Sequence, residues 1–244
     1  MFHLAYFQHE ARPFLIKFTD SFGIRYYGLA YLAGFLFAMW LLHIYTKKGR
    51  SVLTLSQQTD FLYALIIGVL VGGRLGYFLF YTPEVLLHKP LDFFKVWEGG
   101  MASHGGFFGV FLAALWIRRK HKILLLRTGD IVASFASAGL LFGRIANFMN
   151  GELWGKITTV PWAFTFPQSA PGLPHSQIPP RHPSQLYEAA LEGFFLLIYA
   201  QLRFWKSDVT QKYPGQLLGE YIFIYSVVRI IGEQFREPDI GVTL

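Results

Sequence analysis

Six stretches of this 244-residue chain are apolar enough to leave water, and they limit what it can fold into. They are Tyr26–Tyr45, Phe61–Tyr81, Gly99–Ile117, Thr128–Phe148, Gln185–Phe204 and Gln216–Phe235. Crossing a bilayer as a helix takes about 20 mostly apolar residues. The expected fold is therefore an all-α polytopic membrane protein with about six transmembrane helices. Charged residues make up only 15% of the chain, against the ~25% usual for soluble domains, which supports that class. Glycine and small residues interrupt the third and fourth stretches. Small residues let helices approach closely, so these two are expected to pack centrally.

The net charge of +7 would suggest nucleic acid in a soluble protein. Here the basic residues collect between the spans, where topology and anionic lipid account for them, and no nucleic-acid partner is expected. Lys47, Lys48 and Arg50 follow the first span, Arg118, Arg119, Lys120, Lys122 and Arg127 the third, and Arg203, Lys206 and Lys212 the fifth. These eleven lie on one side, against about eight spread over more residues on the other. The positive-inside rule then places the N-terminus outside and the basic loops in the cytoplasm.

Residues 1–244 read as a single membrane domain with two appendages. The first 22 residues, broken by His3, His9, Glu10, Arg12, Pro13 and Lys17, lack the pattern of a cleaved signal peptide. They read as an amphipathic arm lying on the outer membrane surface. Residues 156–184 carry seven of the twelve prolines, which rules out a helix and suggests a small outer cap. With no cysteine there is no disulfide, thiolate metal site or cysteine nucleophile.

Charge inside the spans carries the chemistry. Arg144 follows a run from Ile131 to Phe142 that is apolar or small throughout, with no acidic residue within four positions of it. An arginine at the centre of a bilayer costs at least ~2.5–3.5 kcal/mol, so it usually faces a cavity, a partner or a ligand. Its counter-charge has to come from another segment or from a bound anion. Asn147 and Asn150 continue its helix face, and Glu152 and Gly155 follow where the span opens. Arginine binds phosphate through a planar fork, so a phospholipid headgroup suits the site.

The other charges leave alternatives open. Arg229 has Glu233 four residues on and Arg236 beyond, so local pairing is available. Arg74 has no acid within four residues and is expected to meet Asp60, Glu98 or Glu188. Glu188 and Glu192 share a helix face and need cations, which Arg74 or Arg229 would supply. Gly72-Gly73-Arg74-Leu75-Gly76-Tyr77 faintly echoes Gly143-Arg144-Ile145-Ala146-Asn147-Phe148, as a duplicated hairpin would. Glycines flank His104 in Glu98-Gly99-Gly100-Met101-Ala102-Ser103-His104-Gly105-Gly106, suggesting a bent helix entry. His104 is either a proton-exchanging group or a histidine bonded to a loop. No Gly-x-Ser-x-Gly elbow surrounds Ser103, and no His-Glu-x-x-His occurs. Tyr26, Tyr27, Tyr77, Tyr81 and Trp97 suit the interfacial aromatic belt.

Six ordered blocks together resemble the bacterial prolipoprotein diacylglyceryl transferases. They are Arg25-Tyr26-Tyr27-Gly28-Leu29, the Gly72–Tyr77 and Gly99–Gly106 segments, Gly143–Gly155, Arg181-His182-Pro183-Ser184-Gln185-Leu186-Tyr187-Glu188 and Arg229–Asp239. The resemblance implies an inner-membrane enzyme with a periplasmic N-terminus. Its reaction would move the diacylglyceryl group of phosphatidylglycerol onto the lipobox cysteine of a preprolipoprotein signal peptide. It implies catalytic roles for His104, Arg144 and Arg229. It implies lipid-binding roles for Tyr27, Arg144, Asn147, Glu152, Gly155 and Arg229. On chemical grounds Glu152 is expected to orient an arginine. No metal or dissociable cofactor is expected. The family has a seventh helix after the Arg-Glu-Pro-Asp block, which this chain, ending at Leu244, is expected to lack. A transporter of anionic lipids or organic phosphates, or a scaffold using its arginines only for helix pairing, are the other classes.

Overall fold

The computed structural model describes residues 6–11, 13–19, 23–95 and 99–238. Arg12, Trp97, Glu98 and Asp239, named above, lie outside the described residues, as do the first and last few positions. The protein is mostly helical. Helix α1 spans Tyr26–Lys47, α2 Leu55–Phe80, the short α3 Pro83–His88, α4 Ser103–His121 and α5 Leu125–Asn150. Then come α6 at Ser184–Glu188, a π-helical stretch at Ala189–Phe195, α7 at Leu196–Lys206, the short α8 at Val209–Lys212 and α9 at Gln216–Glu233. Each of the six apolar stretches thus lies mostly in helix. Among the described residues, three helices, α1, α2 and α5, are long and apolar enough to cross a membrane. Large apolar side chains such as Leu36, Trp40, Ile67 and Phe108 are exposed, as expected of a surface that meets lipid.

The chain divides into two compact units. One comprises residues 35–132 and 208–218. Within it α2 starts on a capping box: Thr54 Oγ1 accepts from the Gln57 N–H, and the Gln57 side chain accepts from the Thr54 N–H. Helices α2 and α4 press together along a glycine seam, where a Cβ on Gly76 would stand 2.9 Å from Gly105 Cα. Gly99 and Gly100 have φ of +89° and +74°, so the chain bends into α4 before the helix starts at Ser103. Those two carbonyls accept from Arg74 Nη1, while its Nε and Nη2 bind the carbonyls of Phe93, Asp92 and Lys95. The expected carboxylate partner of Arg74 is thereby corrected: its hydrogen bonds go to main-chain oxygens. Asp130, fully buried, accepts from the Gly215 and Leu218 N–H groups at 2.7 and 2.9 Å, capping the start of α9. Asp60 pairs with Lys120 at 2.7 Å and His121 at 2.8 Å.

The other unit comprises residues 1–34, 133–207 and 219–244. Its described residues include five short strands that the sequence did not reveal: β1 Phe7–Gln8, β2 Phe14–Lys17, β3 Gly23–Arg25, β4 Phe164–Thr165 and β5 Pro180–Arg181. Strand β2 pairs antiparallel with β3, and β4 lies between β1 and β5. Part of the N-terminal arm is therefore woven into the proline-rich segment. Runs of two to four residues show no usable alternation, and tertiary pairing decided them. The His9 ring packs 4.8 Å from Phe148 and 5.0 Å from Phe166. Among the described residues, 156–184 contain strands and 3₁₀ turns but no α-helix before α6.

Candidate active site

The last turns of α5 bring Arg144 and Asn147 to one side of the helix, and the chain then turns sharply. Gly151 and Leu153 both have positive φ, +66° and +55°. Glycine takes that conformation freely, whereas leucine there is a strained residue held by its surroundings. Two bonds hold this turn. Ser184 Oγ donates to the Leu153 carbonyl at 2.9 Å, and Gln185 Nε2 donates to the Glu152 carbonyl at 2.6 Å. Both side chains are fully buried at the start of α6. Gln185 escaped the sequence reading because a neutral residue at a helix start looks like ordinary capping.

The turn aims Glu152 back at α5 and α1. Its Oε1 accepts from Tyr27 Oη, from Asn147 Nδ2 at 2.9 Å and from Asn150 Nδ2 at 3.4 Å. Asn147 also donates to Tyr27 Oη. Three of the expected residues, Tyr27, Asn147 and Glu152, thus form one network. The expectation that Glu152 orients an arginine is corrected: it binds a tyrosine and two asparagines.

Beside it lies an ionic cluster. Arg144 Nε meets Glu188 Oε2 at 3.1 Å, and its Nη2 meets Glu192 Oε2 at 3.2 Å. Arg229 Nη1 meets Glu188 Oε1 at 2.9 Å and Glu192 Oε1 at 3.1 Å. Arg229 Nη2 also meets Glu233 at 2.5 Å, the local pair its spacing suggested. Both central glutamates are 0% exposed, whereas the Arg144 and Arg229 side chains keep 16% and 27% of their surface. Arg144 Nη1 makes no hydrogen bond among the described residues, so two N–H donors remain available to a ligand. The counter-charge of Arg144 comes from another segment, yet the guanidinium is not sealed.

Gly155 sits at a crowded junction rather than on the network. Its N–H donates to the His182 carbonyl at 2.9 Å, and Arg181 Nη1 donates to its carbonyl at 3.1 Å. A Cβ on it would stand 2.7 Å from His182 Cβ and equally close to the His182 carbonyl, so no side chain fits. His104 belongs to the other unit, near the start of α4, exposed. Among the described residues its ring has no hydrogen-bond partner, so the loop-bonded alternative is not seen. No group of three or more His, Cys, Asp or Glu that could hold a metal occurs among the described residues.

Helices long and apolar enough to cross a bilayer, one of them carrying Arg144 in a buried but partly open arginine–glutamate cluster, define a helical membrane protein. Comparison with known proteins narrows the class. The profile of the prolipoprotein diacylglyceryl transferase family matches residues 13–244, and the chain belongs to that family. The phosphatidylglycerol–prolipoprotein diacylglyceryl transferase of Photobacterium profundum is 46% identical over 227 residues, covering 93% of this chain and 81% of that protein. Its namesake in Bradyrhizobium diazoefficiens is 43% identical over 236 residues, covering 94% and 80%. That of Vibrio cholerae is 45% identical over 216 residues, covering 88% and 76%. The chain is accordingly a transferase rather than a transporter or scaffold.

Proposed function

We propose that this protein transfers the diacylglyceryl group of phosphatidylglycerol to the lipobox cysteine thiol of preprolipoproteins, working in the bacterial inner membrane. The names of its relatives support the lipid donor and the prolipoprotein acceptor. The observation that carries the reading is Arg144, charged, set in an apolar helix and only partly covered by its carboxylate partners. In this reading the six long helical stretches each cross the membrane. The N-terminal strands and the 156–184 cap then lie on the periplasmic side, consistent with the eleven basic residues on the other.

The chemistry follows from the bonds exchanged. The thiol sulfur attacks the glycerol carbon that bears the phosphate ester. A carbon–sulfur bond forms, the carbon–oxygen bond breaks, and the electron pair leaves on the phosphate as glycerol phosphate. The leaving oxygen develops negative charge and needs fixed positive charge more than a proton. Arg144 Nη1 and Arg229 supply it, in a site where low dielectric strengthens each contact. Tyr27 and Asn147, locked by Glu152, position the glycerol headgroup. A free thiol has a pKa of about 8.5 and is mostly protonated at neutral pH, so a base that takes its proton speeds attack. His104, exposed and without a hydrogen-bond partner among the described residues, is assigned that role on its chemistry.

Purified protein, phosphatidylglycerol and a lipobox peptide, followed by mass spectrometry, test the reaction directly. The peptide gains one diacylglyceryl unit, and glycerol phosphate appears in equal amount. Lipid movement across vesicles without any covalent product would end this assignment.

A further inference from the structure

Each of the two buried glutamates touches both arginines. Arg144 takes the Oε2 atoms of Glu188 and Glu192, and Arg229 takes their Oε1 atoms, all at 2.9–3.2 Å. Two carboxylates thus stand between two guanidiniums that would otherwise repel one another. The backbone is adapted to put them there. Glu188 ends α6, and Glu192 lies in the π-helical stretch Ala189–Phe195, a departure from α-helix frequent at functional sites. The next residue is Gly193, and a Cβ there would stand 2.7 Å from Leu141 Cα on α5. That contact brings the glutamates within reach of Arg144.

We propose that Glu188 and Glu192 are positioning residues that hold the two guanidiniums at a fixed spacing and set how tightly the phosphate product is retained. This rests on Arg144 and Arg229 holding the phosphate. Phosphatidylglycerol carries one negative charge there as a diester. The glycerol phosphate left after transfer is a monoester and carries up to two, with a second pKa of about 6. Two unopposed arginines would bind the product more strongly than the substrate and slow every turnover. The two carboxylates offset the two guanidinium charges while leaving Arg144 Nη1 open, so the departing dianion meets free donors without an excess of positive charge. Their burial keeps that offset fixed rather than screened by water.

The test measures kcat, KM for phosphatidylglycerol and inhibition by added glycerol phosphate, in the full-length protein in mixed micelles. Glu192→Gln removes one negative charge while keeping shape. Glycerol phosphate is then expected to inhibit about tenfold more tightly. At the same time kcat falls about tenfold with no rise in KM. Glu192→Asp keeps the charge and shortens the reach: kcat falls, and inhibition stays as in wild type. A merely structural glutamate predicts lost protein or a raised KM, with no gain in product affinity. Unchanged or weaker inhibition in a folded Glu192→Gln protein overturns the proposal, as does no inhibition of the wild type. If the Gln variant fails to fold, an Asp variant with full kcat overturns it. Arg144→Gln separates the two layers. If it leaves glycerol phosphate inhibition intact, the phosphate role itself falls. If it abolishes inhibition while Glu192→Gln tightens nothing, only the positioning role falls.

Discussion

Arg74 and Arg144 both follow glycine late in an apolar helix, and their surroundings treat them in opposite ways. Arg74 is 3% exposed, and five main-chain carbonyls between Asp92 and Gly100 use its donors. Arg144 is met by two carboxylates and keeps one nitrogen unbonded among the described residues. Carbonyls offer partial charges and fill every donor, which makes Arg74 a clamp on the chain leading into α4. Carboxylates cancel charge but leave donors open, which makes Arg144 a site. Burial of an arginine alone does not separate these roles; what occupies its N–H groups does.

Substitutions should pull the pair apart. Arg144→Gln is expected to lower transfer by about 10³-fold, as loss of a main charge-stabilising donor does, with folded protein still in the membrane fraction. Transfer near the wild-type rate would remove the phosphate role. Arg74→Gln should act the other way. Stranding several buried carbonyls costs about 3–5 kcal/mol, read as lower thermal stability in detergent, with activity per folded molecule little changed. If Arg74→Gln is stable but inactive, the contrast collapses. His104→Gln should slow transfer about 10²-fold at neutral pH and leave a residual rate that climbs with pH towards the thiol pKa of about 8.5, because an unassisted thiol relies on its own ionisation. Full rate across neutral pH would exclude the base role. Ser184→Ala should cost about 1 kcal/mol by freeing the Leu153 carbonyl, measured as a small fall in melting temperature.

The smallest effect concerns acid. Burial lowers the pKa of His9 and, less covered, of His182 below the ordinary imidazole value of 6.5. The unfolded chain then binds more protons than the folded one, so stability falls as pH drops below that value towards the lower folded pKa. Replacing His9 with Gln should shallow this acid slope in pH-dependent melting. A slope unchanged by that replacement would place the sensitivity elsewhere.

Legibility followed the length scale of each signal. Helices of 18 to 26 residues announced themselves by sustained hydropathy, and the bend at Gly99 and Gly100 was a local event. The strand at Phe7–Gln8 was invisible, because it exists only by pairing with Phe164–Thr165, more than 150 residues away. The same division runs through the site. Arg229 and Glu233 are one helical turn apart, and their pair was readable. Which acids meet Arg144 was not, since Glu188 and Glu192 lie more than 40 residues on. Glu152 was assigned an arginine because charge invites charge; the turn at Gly151 and Leu153 gave it Tyr27 instead.

By itself the sequence determined that the chain is helical, bound for a membrane and burdened with arginines in apolar helices. Hydropathy and the cost of burying charge are properties of single segments and need no fold. Only the tertiary structure decided which arginine is saturated and which stays open to a ligand. That depends on carbonyls and carboxylates from distant segments, and hydrogen-bond geometry exists only once those segments are packed.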